Sequence, residues 1–316
     1  MKNEVYKVPI LLIIFKRKDT ALQVIDAIAK VRPKVLYISQ DGPRNEKERK
    51  EVLETRQAVL SEINWNCDLK TFFHDRNLGF KKHIPEALDI FFKDNEYGIY
   101  LEDDNVPSPE FFYFQKELLG KYKDDQRILA INGTNLYPDL NENKNSYRLS
   151  QLGCFWGVGI WRRSWKLYNP ETPDLDSFRY SDYKDYIFSK KYFIYLEFFL
   201  NLVKKNMLAA WDYQFVYSAI KNRKYFISPS HNLVNNIGLN NVSTNPFLQN
   251  YKTSVGFTNT FKIIHPKELI YSKEEDEKYF GEMYKFFYLR IILNKIFYSF
   301  PVKVRDKVSS FLKSFT

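Results

Sequence analysis

Four short apolar runs punctuate the first hundred residues, at 8–15, 34–39, 69–74 and 97–101, and each stops at a polar or glycine-containing turn. Runs of this length, rich in branched side chains, suit buried strands. The stretches between them read as helices. Residues 20–31 place Leu22, Val24, Ile25, Ile28 and Ala29 at near-helical spacing, with Asp19 as the N-cap. Residues 46–60 form a charged helix, and 85–92 lie in a third. The order βαβαβαβ predicts an α/β fold, with a mostly parallel, doubly wound sheet flanked by helices. Ligands of such sheets sit beyond the carboxyl ends of the strands, so the chemistry should follow each run directly. Further on the alternation loosens. Residues 111–122 read as a helix, 128–132 as a short strand, 138–147 as a polar loop and 189–206 as an aromatic helix, with an aromatic and basic tail over 283–316.

The strand ends carry a consistent chemistry. Glu102, Asp103 and Asp104 follow the fourth run. Acids crowded there repel one another, and a divalent cation touching diphosphate oxygens would neutralise them. Mg²⁺ and Mn²⁺ favour such oxygen ligands. Alone, the trio would serve equally as a solvated acidic turn. The second run ends in Asp41-Gly42-Pro43-Arg44. That carboxylate could accept from the imide of a pyrimidine, although Asp-Gly-Pro is also ordinary turn chemistry. The third ends in Asn77-Leu78-Gly79-Phe80-Lys81-Lys82-His83, where Gly79 permits close backbone approach and the two lysines suit a diphosphate. A plain basic loop would look similar. Base-, phosphate- and metal-suited residues at three successive strand ends point together to a nucleotide diphosphate.

Taken in order, VPILLIIFKRKDT, YISQDGPR, NLGFKK, YLEDDNVPSPEFF, CFWGVGIWRRSW, WDYQF and NLVNNIG resemble bacterial GT-A glycosyltransferases. Within these, the chain looks like nucleotide-diphospho-sugar transferases distantly similar to N-acetylglucosaminyltransferase I. The resemblance covers roughly residues 8–245. It implies a GT-A (Rossmann-like) domain with residues 1–105 as the nucleotide-sugar half and 106–262 as the acceptor and donor-sugar half; residues 263–316, beyond the resemblance, read as a C-terminal helical tail suited to membrane association. It further implies that Asp41 contacts the base, that Arg44, Asn77 and Gly79 belong to the donor-binding surface, and that Lys81 or Lys82 lies near the diphosphate. Asp104 would bind Mn²⁺ or Mg²⁺ directly, in the place of a DxD motif. Glu102 and Asp103 would serve the ribose and the metal's water shell. Trp156 and Gly157 would line the donor sugar pocket, and Asp212 would be the catalytic base of an inverting enzyme. Relatives often carry a histidine where Asn245 stands, which makes that amide a weaker candidate for a further metal ligand.

The formal net charge is +10, which draws anionic partners. Zinc spacing, RNP-like motifs and a recognition-helix module are missing from the sequence, so nucleic acid is not the expected partner. Cys67 and Cys154 lack CxxC spacing and read as free thiols of a reducing compartment. The first apolar run is far shorter than the about 20 residues of a membrane span and ends at Lys16, Arg17 and Lys18, so a buried strand in a cytoplasmic protein is expected. In the tail, Lys285, Arg290, Lys295, Lys303, Arg305, Lys307 and Lys313 interleave with aromatics. This suits two amphipathic segments divided at Pro301, lying peripherally on an anionic inner membrane face.

The expected function is metal-dependent, inverting transfer from a UDP-type sugar to a glycan or glycolipid hydroxyl, in surface polysaccharide or glycolipid assembly. Two alternatives stand beside it. A sugar-1-phosphate nucleotidyltransferase would share the sheet but usually has a glycine-rich loop after strand one, where this chain reads KRKDT. A degenerate sugar-binding protein without turnover would account for Asn245.

Overall fold

The computed structural model describes residues 5–140, 144–238 and 262–283, together with residue 304. Of the expected tail over 263–316, residues 284–303 and 305–316 lie outside these residues, as does Asn245. The first third alternates as the apolar runs predict: β1 (Ile10–Ile14), α1 (Lys18–Ala29), β2 (Val35–Gln40), α2 (Glu46–Ser61), β3 (Asp68–Phe73), α3 (Phe80–Asp94) and β4 (Tyr97–Glu102). There follow β5 (Asn105–Pro107), α4 (Pro109–Lys121), β6 (Ile128–Asn132), β7 (Tyr147–Ser150), β8 (Val158–Trp161) and the single turn α5 (Arg162–Trp165). The described chain continues with α6 (Lys190–Lys204), α7 (Asp212–Lys221), β9 (Tyr225–Pro229), β10 (Val234–Asn236) and α8 (Lys273–Met283).

Eight strands form one sheet in the order β3-β2-β1-β4-β8-β6-β9-β7. The four N-terminal strands run parallel, β8 is antiparallel to β4 and to β6, β9 is parallel to β6, and β7 is antiparallel to β9. The sheet is thus mixed and mostly parallel. Strand β1 shows how the sequence builds two cores. Its residues are buried on both faces: Ile10, Leu12 and Ile14 join a core with α1, α2 and α4, while Leu11 and Ile13 join a second core with α3, α6 and α7. The strand's period of two sends neighbours to opposite faces, which is why the run is continuously apolar. Each fully buried Leu or Ile contributes about 1.5–3 kcal/mol of apolar transfer energy.

The chain winds outward from β1 through β2 to β3, then crosses back to β4 on the other side of β1. Right-handed crossovers put α1 and α2 on one face, and the reversal puts α3 on the other. The ends of β1 and β4 therefore lie side by side at the topological switch point, where open sheets bind ligands. Strands β5 and β10 form a separate antiparallel ribbon beside that edge, with Asn105 opposite Asn236.

Local details depart from expectation in two places. Arg17, not Asp19, occupies the N-cap position of α1; Asp19 falls in the first helical turn, where a carboxylate still meets the positive end of the helix dipole. The polar loop over 138–147 ends in Tyr147, which starts strand β7 instead. The Trp-rich segment contains strand β8 and the turn α5, and both Trp161 and Trp165 are core residues there. Among the described residues no helix is long and apolar enough to cross a membrane.

Candidate functional site

At the switch point the acid trio meets a cation. Arg17, directly after β1, pairs through one guanidinium nitrogen with Asp103 and through the other with Asp104, the latter at 2.8 Å. Asp103 also accepts the backbone N–H of Phe15 at 3.1 Å, so both its oxygens are engaged. Burial pushes the Asp103 carboxyl up to about 6, against the opposing pull of Arg17. Burial likewise works against the guanidinium, but Asp103 and Asp104 outweigh it and hold Arg17 firmly charged. Glu102 points elsewhere: its Oε1 accepts the Tyr100 hydroxyl at 2.8 Å. Burial, then Asp104, raise Glu102 to about 8.

Asp104 differs from its neighbours. Its Oδ1 is buried and has no hydrogen-bond partner. Its carbonyl accepts the Ile237 amide at 2.9 Å, which ties the strand end to the turn after β10. That turn presses close: a Cβ on Gly238 would sit 2.2 Å from Asp104 Oδ2 and 2.8 Å from Arg17 Nη1, so a larger residue there would push on the Arg17–Asp104 pair. Asn236 braces the same ribbon, donating to Asn105 Oδ1 at 3.1 Å and accepting the Gly238 amide at 3.0 Å.

Among the described residues no three His, Cys, Asp or Glu side chains converge to hold an ion. One buried, unpartnered carboxylate oxygen does fit Mg²⁺ or Mn²⁺, because Mg²⁺ commonly takes one or two carboxylates and completes its shell with substrate phosphates and water. Asp104 is the residue that would hold it.

Asp212 opens α7, after Trp211 at the N-cap position. The Trp211 ring is fully buried and meets the Tyr100 ring edge-on at 5.3 Å and the Phe155 ring at 5.2 Å. This packing places Asp212 near enough to Tyr100 to act on that hydroxyl electrostatically, alongside Glu102 and Asp104. The candidate base and the acid trio are therefore brought to the same end of β4. Burial pushes the Asp212 carboxyl up to about 6, although the amides of Tyr213 and Asp212 itself pull it down.

At the second and third strand ends, several of the expected residues have partners within the protein itself. Asp41 is buried, and its two oxygens accept four hydrogen bonds: from the amides of Gly42, Leu78 and Gly79 and from the Asn77 side chain, at 2.8–2.9 Å. A carboxylate offers about four lone-pair sites, so in this arrangement none is left for an imide. Asp41 and Asn77 serve as the anchor of the loop that enters α3, and Gly79 supports it with φ +79°. Lys81 reaches across to the last turn of α6, bonding Val203 O at 3.2 Å and Asn206 Oδ1 at 2.9 Å. There it complements the negative helix end. Lys82 is exposed at the start of α3. Arg44 binds Glu48 (Nε to Oε2 2.9 Å), and Lys16 meets the same carboxylate at 2.9 Å; Arg44 first and Lys16 with it lower Glu48 to about 2. Arg44 also sits over the Phe15 ring at 5.6 Å, so it borders the β1 end.

Trp156 is half-buried against the core shared with α1 and α4, and its carbonyl accepts Thr134 Oγ1 at 2.7 Å. Gly157, with φ +69°, bonds its carbonyl to the Gly133 amide at 2.7 Å and lies against Val234 of β10. Cys67 and Cys154 are both free, and burial raises the Cys154 thiol to about 11, so it is not a ready nucleophile.

Sequence reading missed Arg17 as a partner of the acids, and Tyr100 as the link between Glu102 and the Trp211–Asp212 turn. A signal for Arg17 existed. The doubly wound order itself juxtaposes the ends of the first and fourth strands, so a cation after one and acids after the other should pair.

No family model matches the chain, and no curated protein sequence matches it. Among solved structures it is similar to HddC from Yersinia pseudotuberculosis, at TM-score 0.32 and 9% identity over 49% of this chain and 77% of that one. A UDP-glucose pyrophosphorylase in complex with UDP-glucose gives TM-score 0.34 and 9% identity over 70% of this chain and 90% of that one. Likenesses of this size leave the functional reading to the chain's own residues.

Proposed function

We propose that this protein is a metal-dependent glycosyltransferase of the GT-A kind, moving a sugar from a nucleotide diphosphate, a UDP-sugar by preference, to an acceptor hydroxyl with inversion. The observation that carries the reading is the buried, unpartnered Asp104 oxygen at the switch point, set beside a charged arginine and at the same strand end as a second carboxylate, Asp212. The ordered motifs that resemble GT-A transferases support it.

In this mechanism Asp104 would hold the metal, and Arg17 would add a second positive group beside the diphosphate. A bound Mn²⁺ or Mg²⁺ supplies neutralisation of the charge that develops on the departing nucleotide diphosphate. Asp212 takes the acceptor's proton. With its pKa near 6, it is mostly ionised at neutral pH yet basic enough to help, the match that favours general-base catalysis. As the proton passes to Asp212, the acceptor oxygen bonds the anomeric carbon and the sugar's bond to the diphosphate breaks. Trp211, packed on Tyr100, fixes the start of α7 from which Asp212 projects. A glycan or lipid-linked glycan acceptor, and a peripheral position on an anionic membrane surface, extend the proposal.

The test is turnover of a panel of nucleotide sugars with and without Mn²⁺. Metal-dependent release of nucleoside diphosphate supports the reading. Pyrophosphate-dependent formation of a nucleoside triphosphate would instead show a nucleotidyltransferase, and no turnover with retained binding would show a sugar-binding protein.

A further inference from the structure

We infer that Arg17 is a built-in counter-cation: it holds Asp103 and Asp104 in the free protein and passes to the diphosphate when nucleotide arrives, so that divalent metal enters with the nucleotide and not before it. The inference rests on the metal-binding part of the proposed function.

The geometry leads to it in three steps. First, Arg17 already occupies the acids: it spans both carboxylates, and only Asp104 Oδ1 remains unpartnered. Asp104 Oδ2 is closed from the other side by the Ile237–Gly238 turn. Second, a guanidinium and a divalent ion cannot comfortably share one carboxylate pair. At separations of a few ångströms, their repulsion in a partly buried site offsets a substantial part of the attraction each gains. A bound diphosphate adds the missing negative charge and lets both cations stay. Third, the exchange is chemically easy. The planar fork of Arg matches phosphate oxygens as well as it matches carboxylates. The Arg17 side chain is 43% exposed whereas its partners are 4% and 12% exposed, so the cation can turn outward while the acids stay fixed.

Mn²⁺ binding, followed by the electron paramagnetic resonance of the free ion, tests this on the full chain. Wild type, Arg17→Gln and Arg17→Lys are each titrated with Mn²⁺ alone and with Mn²⁺ plus UDP. Wild type should bind Mn²⁺ weakly alone and far better with UDP. Arg17→Gln should bind Mn²⁺ alone about tenfold tighter than wild type or more, the scale of removing one adjacent charge. Arg17→Lys should fall between, since an ammonium cannot span both carboxylates, and it also serves if the Gln variant folds poorly. If both folded variants bind Mn²⁺ alone no tighter than wild type, while wild type still takes Mn²⁺ with UDP, the inference is wrong and the metal reading stands. If wild type takes no Mn²⁺ even with UDP, the metal reading itself falls, and the inference with it.

Discussion

Replacing Asp212 by Asn should make the protein more stable and far less active at the same time. Burial raises the Asp212 carboxyl from 3.8 to about 6. Each tenfold change in acidity corresponds to about 1.4 kcal/mol, so ionising this group in the fold costs at most roughly 3 kcal/mol at pH 7.5. The sign follows from proton binding. Between the unfolded and folded values the native state holds more proton than the unfolded chain, so stability is full below about pH 4 and falls as pH rises through about 6. Asparagine has the same shape and never ionises, so it removes that cost. The expected gain is about 1–3 kcal/mol at pH 7.5, shrinking to nothing near pH 4. In a chain of this size it raises the melting temperature by roughly 2–6 °C. Turnover should fall about 10²-fold or more, the scale of losing a positioned base, with little change in UDP affinity. Wild-type turnover should also decline on the acid side with a midpoint near pH 6. The assay is paired thermal denaturation of both proteins from pH 4 to 8, with turnover at neutral pH. Equal stability at every pH would refute the desolvation argument. A stabilised variant with full turnover would refute the role as base.

Other outcomes follow from the same geometry. Asp276 of α8 is fully buried and accepts from Arg148 at 2.7 Å, Ser150 Oγ and the Gln151 amide at 2.6 Å, and the Tyr271 hydroxyl at 3.0 Å. Asp276→Ala strands a buried arginine and should cost about 3–5 kcal/mol by denaturant melts, whereas Arg148→Met with Asp276→Leu should recover only the part owed to the unpaired arginine, because Ser150, the Gln151 amide and Tyr271 still lose their acceptor. Asp41→Asn forces an amide N–H₂ against donors and should cost about 1–3 kcal/mol, and the folded fraction should keep its UDP affinity if Asp41 only anchors its loop. Deleting residues 284–316 should abolish sedimentation with anionic liposomes, and full-length binding should weaken with salt; unchanged sedimentation would retire the membrane expectation.

Strands β1, β2 and β4 were legible in the sequence because their apolar runs are buried on both faces and end at polar turns, whereas β3, a largely exposed edge strand, was legible from its short run between polar turns and its place in the alternation with the three helices. Ile128–Asn132 was legible for the same reason as β1. Strand β8 was not. It is only Val158–Trp161, carries Gly159 within it, and lies in a Trp-rich stretch that reads as a pocket wall. Its antiparallel place between β4 and β6 is set by packing far along the chain. Residue types at the strand ends were read correctly as polar clusters, but their partners were not. The four bonds to Asp41 come mostly from a loop 36–38 positions away, and Lys81 finds α6 at a distance of more than 120 positions. Local propensity carries no record of such pairings. Asp104 stands apart because its chemistry is visible as a deficit, an acceptor with no donor, that appears only once the neighbours are in place.

The central claim is that a nucleotide diphosphate and a divalent metal bind together at Asp104. Isothermal titration of UDP in the presence of Mn²⁺, into wild type and Asp104→Ala, tests it most directly. Removing a carboxylate that binds the metal directly should weaken metal-dependent UDP binding by about tenfold or more, while the variant stays folded. Equal affinity in the two proteins, or no UDP binding by wild type with or without Mn²⁺, would contradict the account.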